Sequence, residues 1–167
     1  MSDDLWVLAA PFRAHVRRVL DQTGLPWPVI AGAGNLPPTL IRNLLFGRDG
    51  RHRTRLPATA ARALLALDAE RLLGQSRIWV PAEPAAVVIT ELLAAGCSPA
   101  ALARYCRLSE SELIGLLDAA LCSRLTELLA QAARLQWHRS LQSVPGSPAT
   151  TRPRRAAGVE VPAQASA

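Results

Sequence analysis

The chain repeats part of its own sequence at a constant offset of 72 residues, and this repeat constrains the fold more than any other feature. Residues 24–45 read GLPWPVIAGAGNLPPTLIRNLL and residues 96–117 read GCSPAALARYCRLSESELIGLL. Both copies place a small residue, Ala31 or Ala103, in a first short helix, and both place apolar residues at matching positions of a second helix. This is the spacing of a helix-turn-helix, and internal repetition of this kind sets the architecture of a chain. We therefore predict two tandem helix-turn-helix-like units.

The shared positions also predict how each unit packs. Ala31 and Ala103 are expected where two helices approach each other closely, because a small side chain permits that approach. The positions predicted to fill the space between the helices are Ile41 and Leu113, followed one turn later by Leu44 and Leu116.

Composition favours helix along most of the chain. Half of the residues are apolar but only 4% are aromatic, and all 19 basic residues are arginine. Ala, Leu and Arg lead the scale of helix propensity. We predict an all-α fold in which a C-terminal tail rich in Pro, Ser, Thr, Ala and Gly is disordered, since such a tail buries too little apolar surface to order itself. The predicted segments are residues 1–76 for the first unit, 77–139 for the second unit and 140–167 for the tail.

Helical periodicity and turn residues predict the individual elements. Asn35 is expected to adopt a left-handed conformation in the first turn, and Asp49-Gly50 to form a second turn. Ser109 and Glu112 form a capping-box pattern, which predicts the start of a helix. The other predicted helices span residues 11–23, 26–33, 37–46 and 57–73 in the first unit, and 84–95, 99–106 and 119–139 in the second.

Positive charge is concentrated at the end of the predicted helix 37–46 and just beyond it. Residues 42–55 hold five arginines against the single acid Asp49, whereas residues 76–139 hold six arginines and six acids. A localised basic patch is the electrostatic footprint expected for contact with phosphates.

The segment VIAGAGNLPPTLIRNLLFG resembles the helix-turn-helix of phage-repressor-like regulators. The following RLPATAARALLALD is similar to the helix that trails this motif in actinobacterial and actinophage members. The resemblance covers residues 12–73, and a weaker one covers residues 84–118. It implies that the second helix of the first unit enters the major groove of DNA. The residues that it places against bases are Pro38, Thr39, Arg42 and Asn43, and those that it places near phosphates are Arg48, Arg51, His52, Arg53 and Arg55.

The second unit carries different exposed residues. Its corresponding helix begins with Glu110 and Glu112, and carboxylates at those positions would be repelled by phosphates. We predict that residues 84–139 serve as a scaffold or contact a protein partner, and a second DNA-binding site stays open as the alternative. The leucine stripe of helix 119–139 is a candidate dimer surface, and packing within the protomer explains the stripe equally well.

Together these features predict sequence-specific binding of double-stranded DNA by the first unit, in a transcription regulator that acts as a homodimer. Two alternatives stay open: a helical adaptor that binds other proteins, and a factor that coats DNA without sequence preference. The histidines and carboxylates show no catalytic spacing, so we expect no enzyme activity and no cofactor.

The three cysteines match no zinc pattern and predict buried free thiols rather than a metal site. The acidic start MSDDLWVLAA lacks the basic flank of an export signal, and no apolar run reaches about 18 residues. We therefore expect a cytoplasmic protein without a membrane span.

Overall fold

The computed structural model describes the backbone of residues 5–142 and the side chains of residues 5–137. The last helix continues through Gln142, so the prediction that the tail begins at residue 140 was wrong by three residues, and the predicted tail beyond residue 142 lies outside the described residues. The first half contains β1 (Trp6–Leu8), α1 (Ala10–Thr23), α2 (Pro28–Ala33), α3 (Pro38–Phe46), β2 (Arg55–Pro57), α4 (Ala58–Leu65) and α5 (Ala69–Gly74), followed by a 3-10 turn over Gln75–Arg77. The second half contains β3 (Trp79–Pro81), α6 (Glu83–Ala94), α7 (Pro99–Cys106), α8 (Glu110–Leu116), β4 (Leu121–Ser123) and α9 (Arg124–Gln142).

The fold is mostly helical, but the prediction of a purely all-α fold was wrong because two small antiparallel sheets are present. Strand β1 pairs with β2, with Val7 opposite Leu56, and β3 pairs with β4, with Val80 opposite Cys122. Each strand has three residues. Strands of that length are too short to produce a recognisable alternation of apolar and polar residues, which needs about four to eight positions.

The structural repeat is longer than the predicted one. Each copy runs strand, three helices, strand, helix, and it begins at WVLAAP in residues 6–11 and at WVPAEP in residues 79–84. This sequence similarity was the signal that could have revealed the strands. An equivalent backbone hydrogen bond in each copy joins the residue after the first strand to the segment before the second strand. It runs from Ala9 N–H to Thr54 O (2.8 Å) in the first copy and from Ala82 N–H to Ala120 O (3.1 Å) in the second.

The turns of the two helix-turn-helix segments have the same backbone conformation. Asn35 has the predicted left-handed conformation, with φ of 49°, and Arg107 at the equivalent position has φ of 59°. The residue after each turn then donates to the first helix, from Leu36 N–H to Ala31 O (2.8 Å) and from Leu108 N–H to Ala103 O (2.9 Å).

The predicted core positions of both copies are buried. Ala31 and Ala103 each retain 2% of their accessible surface, and Ile41 and Leu113 retain none. Leu44 and Leu116 are buried one turn later. Of the three cysteines, all of which are free thiols, Cys106 and Cys122 are buried as predicted and Cys97 is only half-buried.

Two predicted helix boundaries were wrong. The helix predicted over 57–73 is interrupted after Leu65, because Asp68 caps a new helix by accepting a hydrogen bond of 2.7 Å from Arg71 N–H. The helix predicted over 119–139 begins only at Arg124, since Leu121–Ser123 pair with β3.

Helix α9 packs against both halves of the protein. It contacts α6 and α7 of its own unit and α2 of the first unit. Gly32 of α2 permits this approach, because a Cβ atom there would lie 2.7 Å from Leu128 Cδ2. The stripe residues Leu125, Leu128 and Ala132 are buried within the protomer. These three residues therefore form part of one core that extends through both units, and they are not available as a dimer surface.

Arg107 provides a polar connection between the units. Its guanidinium donates hydrogen bonds of 2.9 Å to the carbonyls of Thr23 and Gly24, at the end of α1. A cation at this position also complements the partial negative charge of a helix C-terminus.

We expect Arg107→Ala to lower the free energy of unfolding by about 1 kcal/mol. The expected loss is this small for two hydrogen bonds because the side chain is exposed and water screens its charge. Arg104→Ala is the control, because Arg104 is exposed and its guanidinium has no hydrogen bond or ion pair with the described residues. We expect the control to change stability by less than about 0.5 kcal/mol. Urea denaturation followed by circular dichroism measures both, and equal losses would contradict a bridging role for Arg107.

Candidate nucleic-acid interface

Helix α3 presents four side chains on one outward face. The helix begins at Pro38, and Pro37 immediately precedes it. The N–H group that Pro38 lacks would have no helical hydrogen-bond partner in the first turn, so no helical hydrogen bond is lost. Leu44 and Leu45 face the core. The outward positions are spaced i, i+3, i+4 and i+7, and they are occupied by Thr39, Arg42, Asn43 and Phe46.

These positions differ in exposure. Thr39 and Arg42 are exposed, Asn43 is half-buried, and Phe46 is 60% exposed. Pro38 is half-buried beside α9, where it lines a groove together with Leu135 of that helix. Of the four residues predicted to contact bases, Pro38 is therefore the one that lies toward the body of the protein.

A two-residue hairpin follows α3. The backbones of Arg48 and Arg51 exchange two hydrogen bonds, of 2.9 and 3.0 Å. Between them, Asp49 and Gly50 have φ of 51° and 74°. Positive φ at both central residues defines a type I′ turn, for which Asp-Gly is a preferred sequence. The predicted turn is confirmed, and it holds the surrounding arginines in a defined loop.

Four of the five residues predicted to lie near phosphates are exposed: Arg48, Arg51 and His52 on this loop, and Arg55 at the start of β2. Arg48 forms an exposed ion pair of 3.6 Å with Asp49, which contributes little energy in water. Arg53 differs from the others because it is half-buried. Its Nε donates to Arg55 O (2.9 Å), and its guanidinium lies 5.7 Å from the ring centroid of Trp6.

Two arginines of α1 attach α3 and the hairpin to the body of the unit, and the sequence interpretation had assigned them no role. Arg13 donates through Nε to Leu44 O (2.7 Å) and through Nη2 to Arg53 O (2.9 Å). Arg17 donates through Nη2 to Leu45 O (3.2 Å). Their i, i+4 spacing on α1 was a detectable signal, but their acceptors are backbone carbonyls 28 to 40 residues away.

The second unit has different residues on the equivalent surface. Ile114 occupies the position of Arg42 and is 51% exposed, and Glu110 occupies that of Pro38. The connection from α8 to β4 comprises residues 117–120, whereas the connection from α3 to β2 comprises residues 47–54. The hairpin with its cluster of arginines is therefore specific to the first unit.

Comparisons with protein-family models, with curated proteins and with solved structures found no match to this chain. Within residues 5–142, no helix has both the length and the apolar character needed to cross a bilayer. The function is therefore proposed from the geometry and charge of the described residues.

Gly47 and Gly50 offer a matched test of the hairpin. At Gly47, φ is 78° and a Cβ atom would lie 2.6 Å from the backbone oxygen of Arg51. At Gly50, φ is 74° and a Cβ atom would meet nothing within 4 Å. We expect Gly50→Ala to cost about 1 kcal/mol of unfolding free energy through backbone strain alone. Gly47→Ala should cost more, because overlap with backbone adds to the strain. Urea denaturation compares the two variants, and a smaller loss for Gly47→Ala would contradict this hairpin geometry.

Proposed function

We propose that the first unit binds double-stranded DNA with sequence specificity, and that the protein regulates transcription through this binding. One observation carries the proposal: the same backbone occurs twice, and only the first copy presents Arg42 and a basic hairpin on its outer surface. The shared backbone is explained by folding, whereas the exposed arginines contribute little to the core.

The outward face of α3 has the chemistry for reading base edges. A helix about 10–12 Å in diameter fits a major groove about 12 Å wide. Arg42 is exposed, and its guanidinium has no hydrogen bond or ion pair with the described part of the chain. It can donate two hydrogen bonds to guanine, and Asn43 can exchange two with adenine. The half-burial of Asn43 limits the range of directions from which a base can approach it.

The hairpin has the chemistry for holding the phosphate backbone. Arg48 and Arg51 are exposed on the hairpin directly after α3, and Arg55 is exposed at the start of β2, so a helix in the groove brings them toward the flanking phosphates. Phosphate contacts set the position and orientation of a protein on DNA but carry no direct sequence information. Arg13 and Arg17 support both elements by fixing the end of α3.

A homodimer belongs to the same proposal. One helix of nine residues contacts only a few base pairs, and dimers double the recognised sequence by binding two half-sites about one helical turn apart. Because Leu125, Leu128 and Ala132 of α9 are buried in the protomer, we place the dimer contact elsewhere. The candidate positions are the exposed apolar residues of the second unit, namely Ile78, Trp79, Val87, Ile114 and Leu121.

Selection of binding sites from random duplexes at about 150 mM salt tests the main proposal. We expect the full chain to enrich one motif, with inverted symmetry if it binds as a dimer. Arg42→Ala and Asn43→Ala should each weaken binding to that motif by about 1–3 kcal/mol and relax the preference at one base pair. Arg104→Ala is the charge-matched control and should bind like the unaltered chain.

The outcomes separate the three candidate functions. Enrichment of no motif, with binding lost near physiological salt, would refute sequence-specific DNA binding and favour a protein-binding adaptor. Salt-resistant binding that ignores sequence, and that persists in Arg42→Ala, would favour a DNA-coating factor instead.

The salt dependence of affinity tests the hairpin separately. Each arginine that neutralises a phosphate contributes about one unit to the slope of log affinity against log salt concentration. We expect Arg51→Ala to lower this slope by about one while leaving the preferred sequence unchanged. Arg104→Ala should leave the slope unaltered. Fluorescence anisotropy titrations at four salt concentrations measure the slope, and an unchanged slope in Arg51→Ala would exclude this phosphate contact.

A further inference from the structure

Phe46 is an exposed aromatic residue on the outward face of α3. It is 60% exposed, although phenylalanine is among the residue types most often fully buried. It is the last residue of α3 and follows the buried pair Leu44-Leu45, and Gly47 N–H still donates to Asn43 O (3.1 Å), so its exposure results from the direction of the helix face. In the second unit the equivalent position is Asp118, which lies beyond the end of α8.

Helix geometry places Phe46 near the centre of that face. At about 100° per residue, its direction lies between those of Arg42 and Asn43 and close to that of Thr39. At about 1.5 Å per residue, it lies about 6 Å along the axis beyond Arg42. Along a helix that lies in the major groove, side chains three or four residues apart can contact successive bases, so this separation corresponds to about one or two base pairs.

The ring is positioned by a second aromatic side chain. Phe46 and Trp27, which precedes α2, have ring centroids 6.3 Å apart and an interplanar angle of 74°. This edge-to-face arrangement is a favourable geometry for aromatic pairs. The contact restricts the rotation of an otherwise exposed side chain, so less conformational entropy is lost when the ring is covered by a ligand.

We propose that Phe46 is a specificity-determining residue that contacts the C5-methyl group of a thymine, about one or two base pairs from the base contacted by Arg42. The inference rests on the proposed function and adds to it one required base. Of the groups exposed in the major groove, the thymine methyl is the apolar one, and apolar side chains distinguish thymine by covering it. A phenyl ring has no hydrogen-bonding group, so it has no favourable polar contact to offer at that position.

Replacement of thymine by deoxyuridine removes only this methyl group and leaves base pairing intact. The probe is the duplex enriched in the selection experiment, with each thymine replaced singly by deoxyuridine. We expect one replacement to weaken binding of the unaltered chain by about fourfold, the value for one buried methylene-sized group. In Phe46→Ala, the thymine and deoxyuridine duplexes should bind equally well, while Phe46→Leu should retain part of the difference.

Thr39→Ser is the control, because threonine also carries a methyl group on the same face. It should preserve the fourfold effect at the position assigned to Phe46. Thermal unfolding verifies that each variant remains folded.

An enriched duplex that tolerates deoxyuridine at every position would overturn this inference and leave the proposed function standing. Persistence of the fourfold effect in Phe46→Ala would also overturn it, by assigning the methyl contact to another residue. Failure to enrich any duplex would overturn both proposals together.

Discussion

The packing of α9 against both units is the contact on which the rest of the structure depends. This helix contacts α6 and α7 of the second unit and α2 of the first unit. Neither unit is large, and a domain of about 60 residues buries only about 60% of its chain surface by itself. Sharing one long helix extends a single core through both units. The absence of a side chain at Gly32, opposite Leu128, allows α2 to come close enough for this packing.

The position of α3 depends on this core and on α1. Leu44 and Leu45 fix the inner face of α3, and Arg13 and Arg17 donate to the carbonyls of these same residues. Arg13 also holds the carbonyl of Arg53, so the helix and the returning arm of the hairpin are attached to one side chain. The outer face of α3 is therefore supported by contacts on its inner face and at its C-terminal end, which is the kind of support that the proposed DNA recognition needs.

The duplication separates residues that maintain the fold from residues that are free to serve another role. Positions such as Ala31 and Ala103 are buried in both copies because the backbone requires them. Arg42 and Ile114 occupy equivalent exposed positions and share no chemistry. The first copy also has the longer connection after its third helix, and the extra residues carry the hairpin. The charge of the exposed side chains and the length of the connection after the third helix thus differ between the copies, at positions that the shared backbone does not constrain.

Sequence patterns alone were enough to predict the two helix-turn-helix segments, their buried positions, the left-handed turn at Asn35 and the Asp49-Gly50 turn. These features depend on contacts or backbone conformations within a few residues of one another, and so they leave local patterns. The strands β1 to β4, the use of α9 as a shared core helix and the intramolecular roles of Arg13, Arg53 and Arg107 became apparent only in the folded structure. Their partners lie far away along the chain, and many of these are backbone atoms, whose positions side-chain patterns do not encode.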